Sequence, residues 1–320
     1  PPPVTPDPLW ARGLGDVYKR QTLESHGFRE TPEGWVDLDG HVVLVTGGGG
    51  GIGRAASVLF AVEGANHVAV IDIDEKSACG TAEQVETAGA TSEVYAVDVT
   101  DEAAVAATVE SIVGGHGRLD AAFNNAGISD SSSTFHEVEI ERWDRVLATN
   151  LTSVFLCMKH ELRQMSAQES GGAIVNTSSG AGVVPAPGQV HYTAAKHGIL
   201  GLTRSVAAEY RRSGIRCNSV LPGMVDTPML TGPDGQLSAR AAATLRRVSP
   251  AGELLKPEQI AALTVWLCSD MASAINGQAV VADGGGTVSY THLRAHETRE
   301  DLVCRRVLGK KKGGGGGGGG

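Results

Sequence analysis

An apolar run that stops at a block of glycines constrains this 320-residue chain more than any other feature. Residues 41–46 read HVVLVT, and five glycines, Ile52 and Gly53 follow at once. Short apolar runs bounded by turn residues are typical of strands that are buried on both faces, as in parallel sheets. Helical periodicity then continues over 52–63. A strand, a glycine loop and a helix in this order indicate a loop whose backbone N–H groups approach a phosphate.

The glycine block is compatible with two registers of this phosphate-binding loop. Gly48, Gly50 and Gly53 fit the pattern GxGxxG, whereas Gly47, Gly51 and Gly53 fit TGxxxGxG. A flexible turn is the alternative interpretation of the same glycines. The position of the block between a strand and a helix favours phosphate binding over the plain turn.

The centre of the chain alternates between short apolar runs and amphipathic stretches. Further strands are predicted at 68–71, 94–97, 119–123, 173–177, 215–221 and 278–282, and further helices at 75–88, 101–113, 140–168 and 192–210. This alternation predicts α/β architecture: a single doubly wound Rossmann-type domain over 36–287, with a parallel sheet of about seven strands. Sheets of this kind bind ligands at the carboxyl ends of their strands, where the motifs described below are placed.

The two ends of the chain are expected to lie outside this domain. Three prolines open the chain, and three lysines and eight glycines close it, as translated homopolymer DNA would. Residues 1–35 and 288–320 are therefore predicted to be an artefactual or disordered leader and tail, with a flexible glycine-rich tail as the alternative. His292 and His296 have the spacing of metal ligands on a helix but fall in this tail, and we predict no metal site.

Charge and hydropathy argue against several classes of function. The formal net charge is −9 at pH 7, whereas a protein that binds nucleic acid needs a basic surface. The sequence has neither a long apolar run nor a signal-like start, so we expect no membrane partner. Its five cysteines form no CxxC pair and fit buried thiols in a reducing compartment. We therefore expect a cytoplasmic protein.

Asp72 ends the second predicted strand, 19 residues after Gly53. An acidic side chain at this point accepts hydrogen bonds from the adenine ribose hydroxyls of a dinucleotide and repels a 2′-phosphate. Residues 46–53 contain no lysine or arginine, and the side chain of Arg54 is expected to point elsewhere. These features favour NAD over NADP, with a solvated carboxylate at a strand end as the alternative interpretation of Asp72.

Tyr192 and Lys196 lie four residues apart on a predicted helix, so their side chains share one face. A free tyrosine has a pKa of about 10, which is too high for a base near neutral pH. A nearby ammonium favours the phenolate, so we expect Lys196 to lower the pKa of Tyr192. By itself this spacing often occurs by chance and favours a plain surface contact, and the surrounding motifs reverse that interpretation.

In this context the chain resembles the short-chain dehydrogenase/reductase family over about residues 36–287. The family's motifs occur in their usual order: Thr46-Gly47…Gly51-Ile52-Gly53, Asp98, Asn124-Asn125-Ala126-Gly127, Asn150, Ser178-Ser179, Tyr192…Lys196, Pro222-Gly223 and Asp283-Gly284-Gly285. The resemblance implies an alcohol dehydrogenase-like oxidoreductase that transfers a hydride between NAD and a CH–OH group. It also implies a homo-oligomer, a tetramer.

The resemblance implies roles for four catalytic residues. Tyr192 exchanges a proton with the substrate oxygen, and Lys196 lowers the pKa of Tyr192 and binds the nicotinamide ribose. Ser179, thirteen residues before Tyr192, hydrogen-bonds the reacting oxygen, with Ser178 as the alternative. Asn150 supports a water-linked proton relay to the lysine, with packing inside a helix as the alternative role.

The resemblance also implies a set of cofactor contacts. Asp98 and Val99 flank the adenine, and Val225 and Thr227 hold the carboxamide and the phosphates. The full set is Gly47, Gly51, Ile52, Gly53, Asp72, Asp98, Val99, Asn125, Gly127, Tyr192, Lys196, Pro222, Gly223, Val225 and Thr227.

The substrate is less constrained than the chemistry. Residues 229–248 are expected to form a mobile lid, and their apolar side chains, with Val183, Val184, Pro187 and Val190, suggest a pocket for an apolar or alicyclic secondary alcohol or ketone. Two alternative functions remain: an NADPH-dependent reductase of 3-oxoacyl thioesters, and a non-catalytic dinucleotide-sensing protein.

Overall fold

The computed structural model of the protein describes residues 36–232 and 235–288. The predicted leader and the predicted tail from residue 289 onward lie outside the described residues. His292 and His296 lie outside them as well.

The described residues form one parallel sheet of seven strands in the order 3-2-1-4-5-6-7. The strands are β1 (Val42–Thr46), β2 (His67–Asp72), β3 (Thr91–Ala96), β4 (Ala121–Asn124), β5 (Gly172–Thr177), β6 (Ile215–Pro222) and β7 (Ala279–Ala282). The order reverses at β1, which pairs with both β2 and β4. This topology confirms the predicted doubly wound Rossmann-type domain, and it places a ligand crevice at the carboxyl end of β1.

Helices cover both faces of this sheet. They are α1 (Gly51–Val62), α2 (Glu75–Thr87), α3 (Glu102–His116), α4 (Ile140–Leu147), α5 (Ser153–Ala167), α6 (Val190–Glu209), α7 (Pro228–Thr231), α8 (Ala239–Val248) and α9 (Pro257–Cys268). Side chains of α1, α2 and α9 pack into one core, and side chains of α3, α5 and α6 pack into a second. Among the described helices, none is both long and apolar enough to span a membrane.

Strand β1 shows why a continuous apolar run marks a central strand. Successive side chains point to opposite faces, so Val43 and Val45 enter the first core, whereas Val42 and Leu44 enter the second. All five positions of the strand are buried. Each large aliphatic side chain buried in this way stabilises the fold by roughly 1.5–3 kcal/mol.

The helix predicted over 140–168 is not continuous, and that prediction is wrong in its middle. A π-helical turn at Ala148–Thr152 separates α4 from α5. The turn contains Asn150, whose side chain bonds the backbone of Ile128, 22 residues earlier. Extra residues of this kind recur inside helices at functional sites, and sequence periodicity does not reveal them.

Strand β3 begins at Thr91, three residues before the predicted start. It is the edge strand of the sheet, and its first residues alternate between exposed and half-buried positions. The first half of β3 consists of polar residues, and only its second half is apolar. The apolar run therefore predicted a strand that begins too late. The bounds of the other predicted strands and helices differ from the observed bounds by a few residues.

Candidate active site

A cleft of about 870 Å³ opens at the carboxyl ends of the strands. Its size suits a small organic ligand or cofactor. Fourteen residues predicted for the site line it: Gly47, Gly51, Ile52, Asp72, Asn125, Gly127, Asn150, Ser179, Tyr192, Lys196, Pro222, Gly223, Val225 and Thr227. Residues that are far apart in the sequence therefore face one cavity.

The glycine loop between β1 and α1 distinguishes the two registers left open by the sequence. Gly47 and Gly51 have φ angles of 63° and 51°, a left-handed conformation that favours glycine. A Cβ atom on Gly53 would lie 2.0 Å from the carbonyl oxygen of Gly47. Gly50, in contrast, has open space around the position of a Cβ atom. The geometry therefore requires glycine at the positions of the TGxxxGxG register.

The same loop forms a cradle that fits a dinucleotide diphosphate. Helix α1 begins at Gly51, and the first turn of a helix directs N–H groups and partial positive charge toward a phosphate. A Cβ atom on Gly51 would lie 2.9 Å from Cγ2 of Thr227, on the opposite wall of the cleft. Because this gap is too narrow for a methyl group, only glycine at position 51 lets the loop and Thr227 approach each other this closely.

Asp72 faces the cleft beside the glycine loop. Its Oδ2 atom accepts a hydrogen bond of 2.8 Å from the backbone N–H of Gly49, and its Oδ1 atom accepts one of 3.0 Å from Asp74. The guanidinium of Arg54 lies against the glycine loop rather than away from it, and it is occupied there: it donates to Thr81 Oγ1 at 3.0 Å and to the carbonyl oxygen of Gly49 at 2.5 Å. Arg54 does not line the cleft.

Three predicted cofactor residues do not line the cleft. Gly53 packs against Gly47 and keeps α1 close to β1. The Oδ1 atom of Asp98 accepts hydrogen bonds from the backbone and hydroxyl of Thr100, at 2.9 and 2.8 Å. Val99 is buried in the core between the sheet and α3. Contact of Asp98 and Val99 with adenine stays a prediction.

Of the two candidate serines, Ser179 is the one that interacts with Tyr192. The side chain of Ser179 lowers the pKa of the Tyr192 hydroxyl, and its Oγ atom accepts from the backbone N–H of Ala181 at 3.1 Å. The hydroxyl of Ser178 donates to the backbone carbonyl of Lys196 at 2.8 Å, and it is buried. Ser178 therefore joins β5 to α6, while Ser179 faces the reaction centre.

Lys196 lies beside the ring of Tyr192 and is almost fully buried. Its ammonium donates to the carbonyl oxygen of Thr177 at 2.8 Å and lies 5.6 Å from the centroid of the Tyr192 ring. Burial lowers the pKa of Lys196 to about 8. Burial also raises the pKa of Tyr192, and the side chain of Ser179 only partly opposes that rise. The lowered tyrosine pKa that we expected is therefore not observed, because burial disfavours the phenolate.

Asn150 joins the π-helical turn to the loop after β4. Its Oδ1 atom accepts from the backbone N–H of Ile128 at 2.7 Å, and its amide donates to the carbonyl oxygen of Ile128 at 2.9 Å. A Cβ atom on Gly127 would lie 2.8 Å from Asn150 Oδ1 and 3.7 Å from Lys196 Nζ. Asn150 thus lies close to Lys196 and holds the cleft wall, whereas its part in a proton relay stays a prediction.

A polar cluster beside Tyr192 was missed by the sequence reasoning. Asp130 lines the cleft and accepts hydrogen bonds from Arg142 Nε at 2.9 Å and from the fully buried His191 at 3.2 Å. The backbone N–H of Tyr192 donates to His191 Nδ1 at 3.0 Å, so His191 carries its proton on the nitrogen that faces Asp130. The only signal in the sequence is the position of His191 next to Tyr192.

The charge state of Asp130 is set by opposing effects. Burial alone would raise the pKa of Asp130, but hydrogen bonds from Arg142, Ser131 and His191 lower it to about 2. Asp130 is therefore a fixed negative charge at neutral pH. It connects α4, which carries Arg142, to the start of α6 just before Tyr192.

Known proteins resemble this chain over the whole described domain. The family model described as "Enoyl-(Acyl carrier protein) reductase" matches residues 47–287. The 2,5-dichloro-2,5-cyclohexadiene-1,4-diol dehydrogenase of Sphingobium indicum is 41% identical over 251 residues, which cover 78% of this chain and 98% of that protein. The cis-4-hydroxycyclohexanecarboxylate dehydrogenase of Sinomonas cyclohexanicum is 42% identical over 246 residues, with 77% and 96% covered.

A solved structure agrees with these sequence matches. The crystal structure of levodione reductase superposes with a TM-score of 0.74 at 38% identity, covering 78% of this chain and 99% of that one. Relatives of this similarity, together with a family model that spans most of the chain, establish its family. The chain belongs to the short-chain dehydrogenase/reductase family and is an oxidoreductase that acts on CH–OH groups with a nicotinamide dinucleotide cofactor.

Proposed function

We propose that the protein is an NAD-dependent dehydrogenase of alicyclic secondary alcohols in which Tyr192 is the acid/base. One observation carries the proposal: Tyr192 and Ser179 line the same cleft as the glycine loop and Asp72. Proton transfer and dinucleotide binding are thereby brought to one cavity.

In the direction of alcohol oxidation, Tyr192 takes the hydroxyl proton and Ser179 holds the same oxygen. A nicotinamide cofactor, held by the glycine loop and Asp72, would supply the hydride acceptor for the substrate carbon. The ammonium of Lys196 lies over the tyrosine ring and stabilises the phenolate as the proton arrives and leaves. Asn150 holds the adjoining wall, and we place a water-linked relay for the proton between it and Lys196.

The preference for NAD rests on the charges beside the glycine loop. Asp72 adds a carboxylate to the wall next to Gly49, where it can accept hydrogen bonds from ribose hydroxyls and repels a 2′-phosphate. The nearest guanidinium, on Arg54, is occupied by Gly49 and Thr81. The cofactor contacts are those predicted from the sequence, with Gly53 acting through packing.

The alicyclic substrate class rests on the cleft wall and on the relatives. Val184, Pro187, Met229, Leu230 and Val248 give the outer cleft an apolar lining, partly from α7 and α8. Val183, which was also predicted for the pocket, is 44% exposed and does not line the cleft. Several relatives are named for alcohols on a six-membered ring, including a cyclohexanol dehydrogenase of Acinetobacter sp.. A ring of this size suits an apolar wall opposite Tyr192.

An NADPH-dependent reductase of 3-oxoacyl thioesters is the second candidate. Its support is the description of the matching family model, which names an enoyl thioester on acyl carrier protein, a substrate that shares the carrier and the thioester but not the 3-oxo group. Asp72 disfavours it, because a carboxylate repels the 2′-phosphate of NADPH. A non-catalytic role is disfavoured by the presence of the Tyr192, Ser179 and Lys196 arrangement. We further propose a homotetramer in the cytoplasm, which light scattering and fractionation would test.

The experiment is a panel of cyclohexanols, linear secondary alcohols and a 3-oxoacyl thioester, each assayed with NAD(H) and NADP(H). Formation or loss of the reduced cofactor is followed by absorbance. We expect the highest kcat/KM for a cyclohexanol with NAD. Higher kcat/KM for the thioester with NADPH would contradict the proposal and support the second candidate.

A further inference from the structure

Three side chains that can bind a metal meet near the edge of the sheet. Two of them are on strands and one is at the end of a helix, and the cleft lies at the opposite ends of those strands. His67 is the first residue of β2, Glu93 lies near the start of β3, and His116 is the last residue of α3. His67 is paired with Thr91 across the two strands, and Glu93 lies two residues beyond Thr91, so all three strand residues share one face. Helix α3 packs on that face and brings His116 to them.

The three side chains are close enough to share one ion. Each offers a ligand atom that lies within 4.8 Å of the ligand atoms of the other two. The imidazole rings of His67 and His116 are stacked, with centroids 3.7 Å apart and planes inclined by 25°. This cluster shares no residue with the lining of the cleft.

Hydrogen bonds determine which nitrogen of His67 carries the proton. The Thr91 hydroxyl donates to the carbonyl oxygen of Asn66 at 2.9 Å. A hydroxyl has one proton, so Thr91 Oγ1 must accept in its contact of 2.9 Å with His67 Nδ1. His67 therefore has its proton on Nδ1 and a free lone pair on Nε2. Metal-binding histidines are oriented in this way, with the second ring nitrogen donating to a neighbouring oxygen.

The Nε2 atoms of both histidines lack partners inside the protein. Both are buried, and neither makes a hydrogen bond to any residue in the described ranges 36–232 and 235–288. Leaving a buried polar nitrogen unpaired costs about 1–3 kcal/mol, so native proteins rarely tolerate two together. Imidazole lone pairs point outward in the ring plane, so a cation at the edges of the two stacked rings would satisfy both nitrogens once a side-chain rotation turns them toward it.

Glu93 completes the donor set with a negative charge. The Tyr95 hydroxyl donates to its Oε2 atom at 2.5 Å, which orients the carboxylate. Glu93 is exposed, so an ion can enter from solvent on this side. Two imidazoles and one carboxylate are a ligand set typical of zinc, with a water molecule in the fourth tetrahedral position.

We propose that His67, Glu93 and His116 bind one divalent transition-metal ion, Zn²⁺ by preference. The bound ion ties the end of α3 to β2 and to the edge strand β3. It has a structural role, because no residue of the cluster lines the cleft. The sequence offered no spacing that would predict this site, since its three residues come from three separate elements.

The test titrates the chelator-treated, tag-free chain with Zn²⁺ alone and measures heat and thermal unfolding. His292 and His296 are replaced by alanine in every sample, so that the tail contributes no histidine pair. We expect one equivalent of bound zinc and, at about 100 times the dissociation constant, a rise in Tm of about 5 °C. His116→Ala and Glu93→Gln should each weaken binding by about tenfold or more, while the exposed His136→Ala should bind as the parent does.

Absence of a zinc-dependent rise in Tm in the parent would overturn the proposal. So would an unchanged zinc affinity in His116→Ala. Because Glu93 is exposed, Glu93→Gln keeps the test valid if His116→Ala does not fold. Binding of the nicotinamide cofactor, measured without metal, serves as the check that each variant retains the native fold.

Discussion

Lys196 in the cleft and Glu161 in the interior are two buried ionisable residues whose pKa values are displaced by the same cause. Burial lowers the pKa of Lys196 and raises the pKa of Glu161, each to about 8. Lys196 lines a cleft of about 870 Å³, whereas Glu161 borders a void of about 10 Å³, with room for about one water molecule. A displaced pKa therefore marks a catalytic group only where the group also faces a ligand-sized cavity.

Glu161 belongs to a buried polar row that crosses the sheet beneath the cleft. Asn124 donates to Glu161 Oε2 at 3.0 Å and to Asn176 Oδ1 at 3.1 Å. Asn176 donates to the Thr203 hydroxyl at 3.1 Å, which lies 2.6 Å from the Ser219 hydroxyl. The row joins β4, β5, β6, α5 and α6. Its contacts serve packing between these elements, whereas the polar groups of the cleft are directed toward a ligand.

The largest effect is expected in the cleft, at the catalytic residue Tyr192. Tyr192→Phe removes the hydroxyl that exchanges the proton, and general acid–base catalysis contributes up to about 10⁴-fold. We expect kcat to fall on the order of 10⁴-fold while the dissociation constant for NAD changes little, as measured by steady-state kinetics and fluorescence titration. Tyr210→Phe, a tyrosine outside the cleft, is the matched control. A Tyr192→Phe enzyme that kept its rate would contradict the proposed mechanism.

The second prediction concerns the interior residue Glu161 and how the stability of the fold depends on pH. The pKa of Glu161 is raised on folding from its ordinary value of 4.5 to about 8. Between these two pH values, the folded state therefore binds more protons than the unfolded state. The stabilisation is complete below about pH 4.5 and is lost as pH rises through 8, on the order of 5 kcal/mol in all. Urea unfolding should show this loss in the parent protein between about pH 6.5 and 8, above the range in which the lowered pKa of His67, about 4, makes stability rise with pH. It should be absent in Glu161→Gln, which keeps an acceptor for Asn124.

Lys196 does not obscure this measurement, because its window lies higher. Its pKa is lowered on folding to about 8, so its contribution to stability rises with pH between 8 and about 10.5. Glu209→Gln, a substitution at an exposed glutamate, controls for the loss of a carboxylate. An unchanged pH dependence in Glu161→Gln would mean that the interior carboxyl does not titrate as described.

The third prediction asks whether the charge at the edge of the cleft selects the cofactor. Asp72→Asn keeps an oxygen to accept from Gly49 but removes the charge. We expect the ratio of kcat/KM for NAD to that for NADP to fall about tenfold, equivalent to about 1.4 kcal/mol. Glu75→Gln, at an exposed acidic residue on α2, should leave the ratio unchanged. An unaltered ratio in Asp72→Asn would remove the main support for NAD.

The smallest effect is expected at Asp130, which lines the cleft and also serves packing through its bonds to Arg142 and His191. Asp130→Asn keeps the hydrogen-bond geometry toward His191 but weakens the charged contacts, and we expect kcat to fall about fivefold, or about 1 kcal/mol. Since the pKa of Asp130 is lowered to about 2, the parent enzyme should show no titration of this group between pH 4 and pH 9. Asp144→Asn, on the exposed side of α4, is the control. An equal effect in both variants would contradict a positioning role for Asp130.

The central strands and the order of elements were predictable because burial on two faces imposes apolar runs such as 42–46. The meeting of the motif residues in one cleft was predictable because parallel strands bring their carboxyl ends to one edge, whereas the roles of these residues came from the family resemblance. The π-helical turn was not, since it depends on a contact between Asn150 and Ile128 that periodicity does not encode. The start of β3 was missed because an edge strand tolerates polar residues.

Clusters formed by residues from different helices, strands and loops could not be predicted from the sequence either. Asp130 and His191 are 61 residues apart, and only the packing of the loop after β4 against α6 brings them together. The expectation for the pKa of Tyr192 failed for a related reason. The spacing of Tyr192 and Lys196 shows that they share a helix face, but the burial that dominates the tyrosine pKa depends on the surrounding fold.

The five consecutive glycines of the loop are not interchangeable, and this has a consequence for mutational tolerance. Side chains at Gly47, Gly51 and Gly53 meet a strained backbone or neighbouring atoms, whereas Gly50 has an extended backbone and open space. A selection for activity from a library randomised over this loop should therefore keep glycine at those three positions and accept varied residues at Gly50. Diversity at that single position gives protein engineers a place to change the loop without closing it.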